Sequence, residues 1–180
     1  MRRAPTDGLN LRKACLPDAQ AIADLVNAAY SGREGERGWT SEAEIFNGNR
    51  IDMDEVAALL VDPRVIFLAH LEDGGIAGCV YVCIKGMSAY LGLLAVRPDL
   101  QAKGIGKRLV AEAERVAQAM LCDKVEITVM TSHRPELTQF YERRGYARTG
   151  RFRKPLRKTA TLDAKVEGLR LEWMEKQLRC

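Results

Sequence analysis

Gln101-Ala102-Lys103-Gly104-Ile105-Gly106-Lys107-Arg108 is the stretch that decides how this chain of 180 residues is read. It stands between an apolar, strand-like run from Tyr90 to Val96 and a helical run from Leu109 to Leu121. Two glycines one residue apart strip side chains from the turn, so backbone amides point into the space before the helix. The first turn of a helix leaves its N–H groups unpaired and carries the positive end of the helix dipole. An oxyanion such as a phosphate suits that space, and Lys103, Lys107 and Arg108 add mobile positive charge around it. A nucleotide-binding P-loop would need glycine where Gln101 stands and Ser or Thr where Arg108 stands. A dinucleotide-binding turn would need a third glycine at the position of Leu109. The remaining pattern, Gln/Arg-x-x-Gly-x-Gly/Ala, is met at every fixed position by Gln101, Gly104 and Gly106. A strand-to-helix turn that uses its glycines for geometry alone is the structural alternative.

The flanks move the balance. Val96-Arg97-Pro98 comes just before the loop and a long amphipathic helical run follows it. The β-branched strand pattern Val125-Glu126-Ile127-Thr128-Val129 comes next, then Phe140-Tyr141-Glu142-Arg143-Arg144-Gly145-Tyr146. In this order the chain resembles the GNAT superfamily of acyl-CoA N-acetyltransferases, from about Leu9 to Leu178. With Gly38-Trp39-Thr40-Ser41-Glu42 upstream and Arg134-Pro135-Glu136-Leu137 before the tyrosine motif, it looks like a bacterial branch of small members. The resemblance implies an α/β fold with a mixed, mostly antiparallel sheet flanked by helices. Its central parallel strands, on either side of the loop and its helix, would splay apart and hold acetyl-CoA in the gap.

Composition agrees with a single domain over residues 1–180. Apolar residues make up 47% of the chain, enough for a sizeable core. The start, Met1 to Gly8, is basic without a following apolar stretch and reads as a flexible lead rather than a secretory signal. No apolar run approaches the ~20 residues that cross a bilayer. Five cysteines without any Cys-x-x-Cys spacing argue against a disulfide framework and against a zinc site, so no metal is expected. Cys79 and Cys83 fit small core positions, and a reduced, cytoplasmic protein is the default. The net charge is a modest +4, yet Arg143, Arg144, Arg148, Arg151, Arg153, Lys154, Arg157 and Lys158 crowd one segment. No aromatic platform for bases is interleaved with them, so the reading is a solvated basic face rather than a nucleic-acid site. Its functional version is attraction of CoA phosphates or an acidic substrate.

Along the chain, Leu9 to Ala14 alternates as a strand, and Pro17-Asp18 opens a helix that buries Ile22, Leu25, Val26 and Ala29. Ser31 to Thr40 reads as a glycine-rich loop around Trp39, with Thr40 or Ser41 and Glu44 capping a short helical turn. Asp52 or Asp54 starts a helix that Asp62-Pro63 ends. Val65 to Leu71 and Ile76 to Ile84 pair through a tight Asp73-Gly74-Gly75 turn and lead to the Tyr90 to Val96 strand. The next helix buries Leu109, Val110, Ala113, Val116 and Ala117 and turns Glu112, Glu114, Arg115 and Gln118 outward. After Val125 to Thr131, Pro135 starts another helix; short strands follow near Ala147 to Phe152 and Leu169 to Met174, with a charged connection from Arg153 to Glu167.

Acyl transfer from a thioester to an amine needs the cofactor anchored, its carbonyl polarised, the amine neutral and the thiolate protonated as it leaves. The resemblance gives the anchor to Gln101, Ala102, Lys103, Gly104, Ile105, Gly106 and Lys107 through their backbone amides. It lets the main chain of Leu94, Ala95 and Val96 pair with the pantetheine arm. Tyr141 matches the family tyrosine that protonates the thiolate; the alternative is a tyrosine packed under the next strand. Gly145 ends that helix in a left-handed cap, and Tyr146 belongs to the core. Arg134 stands where many members carry an Asn that touches the pantetheine arm, and is assigned to a CoA phosphate or the substrate. Where some members carry a glutamate base this chain has Val129, with Glu126 on the opposite strand face and His133 in a loop. A water-relayed base or capture of the neutral amine is therefore expected. Trp39, among the glycines Gly32, Gly35 and Gly38, either holds a cationic amine or pins its loop.

The leading expectation is an acetyl-CoA-dependent N-acetyltransferase acting on a primary amine, a small molecule or a peptide, by direct attack in a ternary complex. No cysteine falls at a motif position, so no acyl-enzyme is expected. A catalytically weak acyl-CoA sensor is the alternative, supported by the missing carboxylate. No nucleic acid or membrane partner is expected, and the family habit of dimerising makes a homodimer an expectation.

Overall fold

A computed structural model describes residues 10–31, 46–154, 163–164 and 168–178. The lead Met1–Gly8, the Gly32–Thr40 loop with Trp39, the Thr40/Ser41–Glu44 cap and Arg157 and Lys158 lie outside the described residues.

The chain opens with strand β1 (Leu11–Lys13), a 3-10 turn at Leu16–Asp18 and helix α1 (Ala19–Ser31). Ile22, Leu25, Val26 and Ala29 are buried along one face of α1, as their spacing predicts. After the short strand β2 (Phe46–Asn47), helix α2 (Met53–Val61) is started by Asp52 rather than Asp54. Asp52 accepts from the Glu55 amide at 2.8 Å while Glu55 reaches back to the Asp52 amide at 3.1 Å, a reciprocal capping box. Strands β3 (Val65–Glu72), β4 (Gly75–Lys85) and β5 (Ser88–Val96) form a meander. The β3–β4 turn places Asp73 and Gly74 at φ +53° and +78°, the doubly left-handed geometry that suits a two-residue hairpin.

Helix α3 runs from Ile105 to Ala119, four residues earlier than the apolar run alone suggests, because Gly104 caps it and Gly106 lies in its first turn. Strand β6 (Lys124–Val129), helix α4 (Pro135–Glu142), β7 (Ala147–Arg153), the two-residue β8 (Asp163–Ala164) and β9 (Leu171–Gln177) complete the order. The β2–β8 pair was not foreseen: two residues on each side give no periodicity to read. Gly145 is left-handed at φ +88° and closes α4, and Tyr146 is buried, both as expected.

Seven strands make one sheet in the order β1-β3-β4-β5-β6-β9-β7, antiparallel throughout except between β5 and β6. One face packs on α3 and α4 through Val80, Val82, Leu109, Val110, Val125 and Ile127. The other packs on α1 and α2 through Phe67, Ala69, Cys79 and Ala95. Cys79 and Cys83 are buried as expected. Glu114 departs from its outward assignment: Lys176 of β9 reaches it at 2.6 Å and draws the carboxylate into the α3–sheet seam. No helix among the described residues is long and apolar enough to cross a membrane.

Candidate active site at the parted strands

The parallel pair β5–β6 is short. Ser88, Ala89 and Tyr90 face Lys124, Val125 and Glu126, and pairing stops there although β5 continues to Val96 and β6 to Val129. Beyond that point the strands part and leave a gap in the middle of the sheet. The expected splay is thus present in the register itself.

The upper half of β5 is irregular at this place. Tyr81 pairs with Gly92 and Cys79 with Ala95, so Val80 opposes both Leu93 and Leu94 in a β-bulge. Leu93 takes φ +49°, a left-handed value that a branched side chain rarely adopts. Gly92 has no room for a side chain, because a Cβ there would lie 2.3 Å from the Tyr81 ring. Past the bulge the Arg97 amide donates to the Ala77 carbonyl at 2.8 Å. Main-chain groups alternate sides along a strand, so those of Val96 face away from β4, into the gap. Ala95 stays in the ladder opposite Cys79. The Leu94 carbonyl accepts from the Tyr30 hydroxyl at 2.8 Å, and the Val96 carbonyl from Gln101 Nε2 at 3.0 Å. That second bond explains the glutamine in physical terms: it clamps the glycine loop onto the end of β5.

The loop bends through two left-handed residues, Ala102 at φ +63° and Gly104 at φ +81°, before α3 begins. Its amides form a concave nest of the kind that binds anions. The first bond of α3 runs from the Arg108 amide to the Gly104 carbonyl at 3.1 Å. The amides of Ile105, Gly106 and Lys107 have no acceptor among the described residues. Buried Leu100 and Ile105 pin the loop at both ends, and Lys103 and Lys107 are exposed. At Gly106 a Cβ would point between Val96, 3.7 Å away, and Phe140, 4.0 Å away. Loop, β5 and α4 therefore meet at a bare stretch of backbone.

Tyr141 projects from α4 with its ring packed edge-on against Phe140 and Tyr146, at 5.1 and 5.4 Å between centroids. Both roles raised for it share one geometry. The ring is buried, but its hydroxyl has no bond among the described residues and, unlike that of Tyr146, is not a sealed atom. Burial first, then the neighbouring Tyr90, push its phenol above the ordinary range. Arg134 caps the start of α4, is buried and holds Glu136 at 2.6 Å.

Glu126 lies on the opposite face from buried Val129, as alternation requires. Burial opposes its ionisation, but Arg151 and Lys124 outweigh that and hold the carboxyl below its ordinary range. His133 is exposed beside Ser132, whose hydroxyl lies 2.8 Å from Nδ1.

The basic segment is exposed at Arg143, Arg148, Arg151 and Lys154, as its composition suggests, but several of its charges are matched. Arg144 lies on the Phe140 ring at 3.5 Å, Arg148 pairs with buried Glu172 at 2.7 Å, and Arg151 with Glu126 at 2.9 Å. Sequence reasoning also missed a cluster across the parting point on the α1 side. There Tyr90 bonds Thr128 at 2.9 Å, packs on Trp173 and Tyr81, and is joined by Arg153. The only sequence signal for it is the unpaired alternation Tyr81, Tyr90, Thr128, Trp173, one residue from each of several distant strands.

A model of the Acetyltransferase (GNAT) family matches residues 22–146. A mycothiol acetyltransferase of Clavibacter michiganensis is 32% identical over 105 residues, which cover 58% of this chain and 34% of that protein. The chain thus matches about a third of that relative's length. Among solved structures, the PaiA N-acetyltransferase of Thermoplasma acidophilum in complex with coenzyme A has a TM-score of 0.69 at 17% identity, covering 95% of this chain and 99% of that one. The yncA protein of Salmonella typhimurium with its cofactor acetyl-CoA has a TM-score of 0.68 at 18% identity, covering 97% and 96%. At these identities the structures share the fold.

Proposed function

The chain belongs to the Acetyltransferase (GNAT) family, and from that premise we propose that it transfers the acetyl group of acetyl-CoA to a primary amine by direct attack in a ternary complex. The observation that carries the reading is the gap between β5 and β6, with the bare amides of the Gln101–Lys107 turn at its open end. The residues there fit the cofactor: an anion nest and helix N-terminus suit a diphosphate, and a strand edge that β6 leaves unpaired suits the amide-bearing pantetheine arm.

Gln101, Ala102, Lys103, Gly104, Ile105, Gly106 and Lys107 hold the diphosphate through backbone amides. Leu94 and Val96 present the edge along which the arm runs, with Ala95 fixing it to β4, and the Val96 amide polarises the carbonyl. Arg134, at the cap of α4, steadies the wall of the gap on the Tyr141 side. Bound acetyl-CoA supplies an activated acyl carbon and a thiolate leaving group. Tyr141 holds its proton at neutral pH, as a phenol does, and burial keeps it so, which leaves the hydroxyl available as a donor. A phenol is a fit donor to a thiolate whose conjugate acid lies near ~8.5, judged by cysteine. No carboxylate of β5 or β6 faces the gap, and Glu126 is neutralised, so the acceptor loses its proton to water before attack.

The test is calorimetric and kinetic. Coenzyme A titrated into the folded protein gives saturable heat, and acetyl-CoA is consumed only when an amine is present. No heat on titration would end the reading. Tight binding with no amine-dependent release would select the acyl-CoA sensor, which the absent carboxylate favours.

A further inference from the structure

Arg153 differs from its neighbours on β7. Arg148 and Arg151 are matched by Glu172 and by Glu126 and Glu175. Arg153 has no ion pair among the described residues. Its Nη2 donates to the Thr128 hydroxyl at 3.1 Å, its guanidinium lies over Trp173 at 5.7 Å, and its Nε is buried with no acceptor. A buried donor left unmade is unfavourable, the more so on a charged group. A hydroxyl and an aromatic face do not offset that for a guanidinium, whose planar fork is built to take a carboxylate by two parallel bonds.

Its location is equally specific. Thr128 bonds both Arg153 and the Tyr90 hydroxyl, and Tyr90 is the last β5 residue paired with β6. The unmatched charge therefore sits where the strands part, on the face of the sheet away from α3 and Tyr141. Arg151 and Lys124 are neutralised by Glu126 and Glu175, and Lys85 Nζ lies over the Tyr90 ring at 5.2 Å, so the planar fork left open beside Thr128 is that of Arg153, a shape that matches a carboxylate.

Resting on the acetyl-transfer reading above, we propose that Arg153 binds a carboxylate of the acceptor, which makes the acceptor class an amine that also carries a carboxylate, with Tyr90 and Trp173 beside its apolar part. Arg153 is then a specificity-determining residue, and Thr128 positions it.

The full chain, 15N-labelled at arginine and saturated with coenzyme A, is titrated with benzoate and, separately, with uncharged benzyl alcohol while the arginine Nε–H signals are followed. Arg153→Lys, which lacks that group, assigns the signal. Expected is a saturable shift confined to Arg153 with benzoate and none with benzyl alcohol. In Arg153→Gln the benzoate Kd rises at least about tenfold, about 1.4 kcal/mol, while coenzyme A affinity is kept. A benzoate response absent, unsaturable or spread evenly over the arginines overturns the assignment, as does an unchanged Kd in the variant. Should Arg153→Gln fail to fold, the wild-type titration decides alone. Failure of the acetyl-transfer reading shows instead as missing coenzyme A heat, and the same benzoate titration of the full chain without coenzyme A then still shows or lacks the Arg153 shift.

Discussion

Gly106 shows how one absent side chain serves stability and binding in opposite directions. A Cβ at that position meets only ordinary contacts, with Val96 at 3.7 Å and Phe140 at 4.0 Å, and no left-handed φ stands in the way. Gly106→Ala is therefore expected to fold and to gain up to about 0.5–1 kcal/mol, since glycine disfavours helix relative to alanine. The same methyl group stands between β5 and α4 beside the free amides of the first turn. Coenzyme A affinity falls at least about tenfold as the stability rises. Denaturant midpoints and titration heats together check this, and a variant that binds as tightly as wild type would show that the ligand passes elsewhere. Tyr141 makes the complementary case. Tyr141→Phe leaves the ring packing against Phe140 and Tyr146 in place and deletes only the hydroxyl. Turnover should drop by about 10²-fold with coenzyme A affinity unchanged, the cost of a lost proton donor. Equal turnover would assign the residue to packing alone.

At the level of elements, what could be read in advance was whatever repeats with a period. The apolar run Val65–Leu71, the alternation along Val125–Val129 and the helical spacing of Ile22-Leu25-Val26-Ala29 place the main strands and α1 within a few residues. The glycine spacing and the Phe140–Tyr146 motif locate the loop and α4 correctly beside the gap. The β5 bulge was illegible, because it exists only in the register of two strands: nothing in Gly92-Leu93-Leu94 announces that Val80 will face two residues. The pairing of Arg148 was hidden likewise, since Glu172 lies on a strand that is distant in sequence. That carboxylate is a junction of three elements. Buried Glu172 accepts from Thr131 at 2.7 Å, Arg148 Nε at 2.9 Å and the Gly150 amide at 3.2 Å. Glu172→Gln, measured by urea denaturation, should cost about 1–3 kcal/mol through a charge-assisted bond lost and donors left unmade. The Tyr81 ring over Gly92 gives the bulge its own test. Gly92→Ala drives a methyl into that ring and should destabilise by about 1–3 kcal/mol while displacing Tyr81 towards Tyr90.

For the molecule as a whole, the sheet separates two chemistries that meet only where β5 and β6 diverge. One face carries the glycine turn and Tyr141, the other the Tyr90–Thr128–Arg153 group, and each is backed by its own hydrophobic cluster. Keeping phenols in those clusters has a consequence for the stability of the entire fold. Burial is the leading cause that raises the phenols of Tyr81, Tyr141 and Tyr146, with nearby tyrosine, cysteine and glutamate charges adding to it. Each native phenol therefore holds its proton to a higher pH than the unfolded chain does, where tyrosine titrates near ~10. Stabilisation from this source is complete below pH about 10 and is lost as pH climbs towards the raised native values, because only the unfolded state releases protons in that window. The expected slope approaches about 4 kcal/mol per pH unit when all three respond, at about 1.4 kcal/mol for each proton. Lys124, raised by Glu175 and Glu126, adds a contribution of the same sign. Urea midpoints followed upward from pH about 8 should stay level to about 10 and then fall steeply. Tyrosinate absorbance from the buried three should appear with the loss of near-ultraviolet ellipticity and not before it. If that absorbance rises to its full value while the fold stays intact, these rings are reached by hydroxide without unfolding, and the cluster behind Tyr141 is open rather than packed.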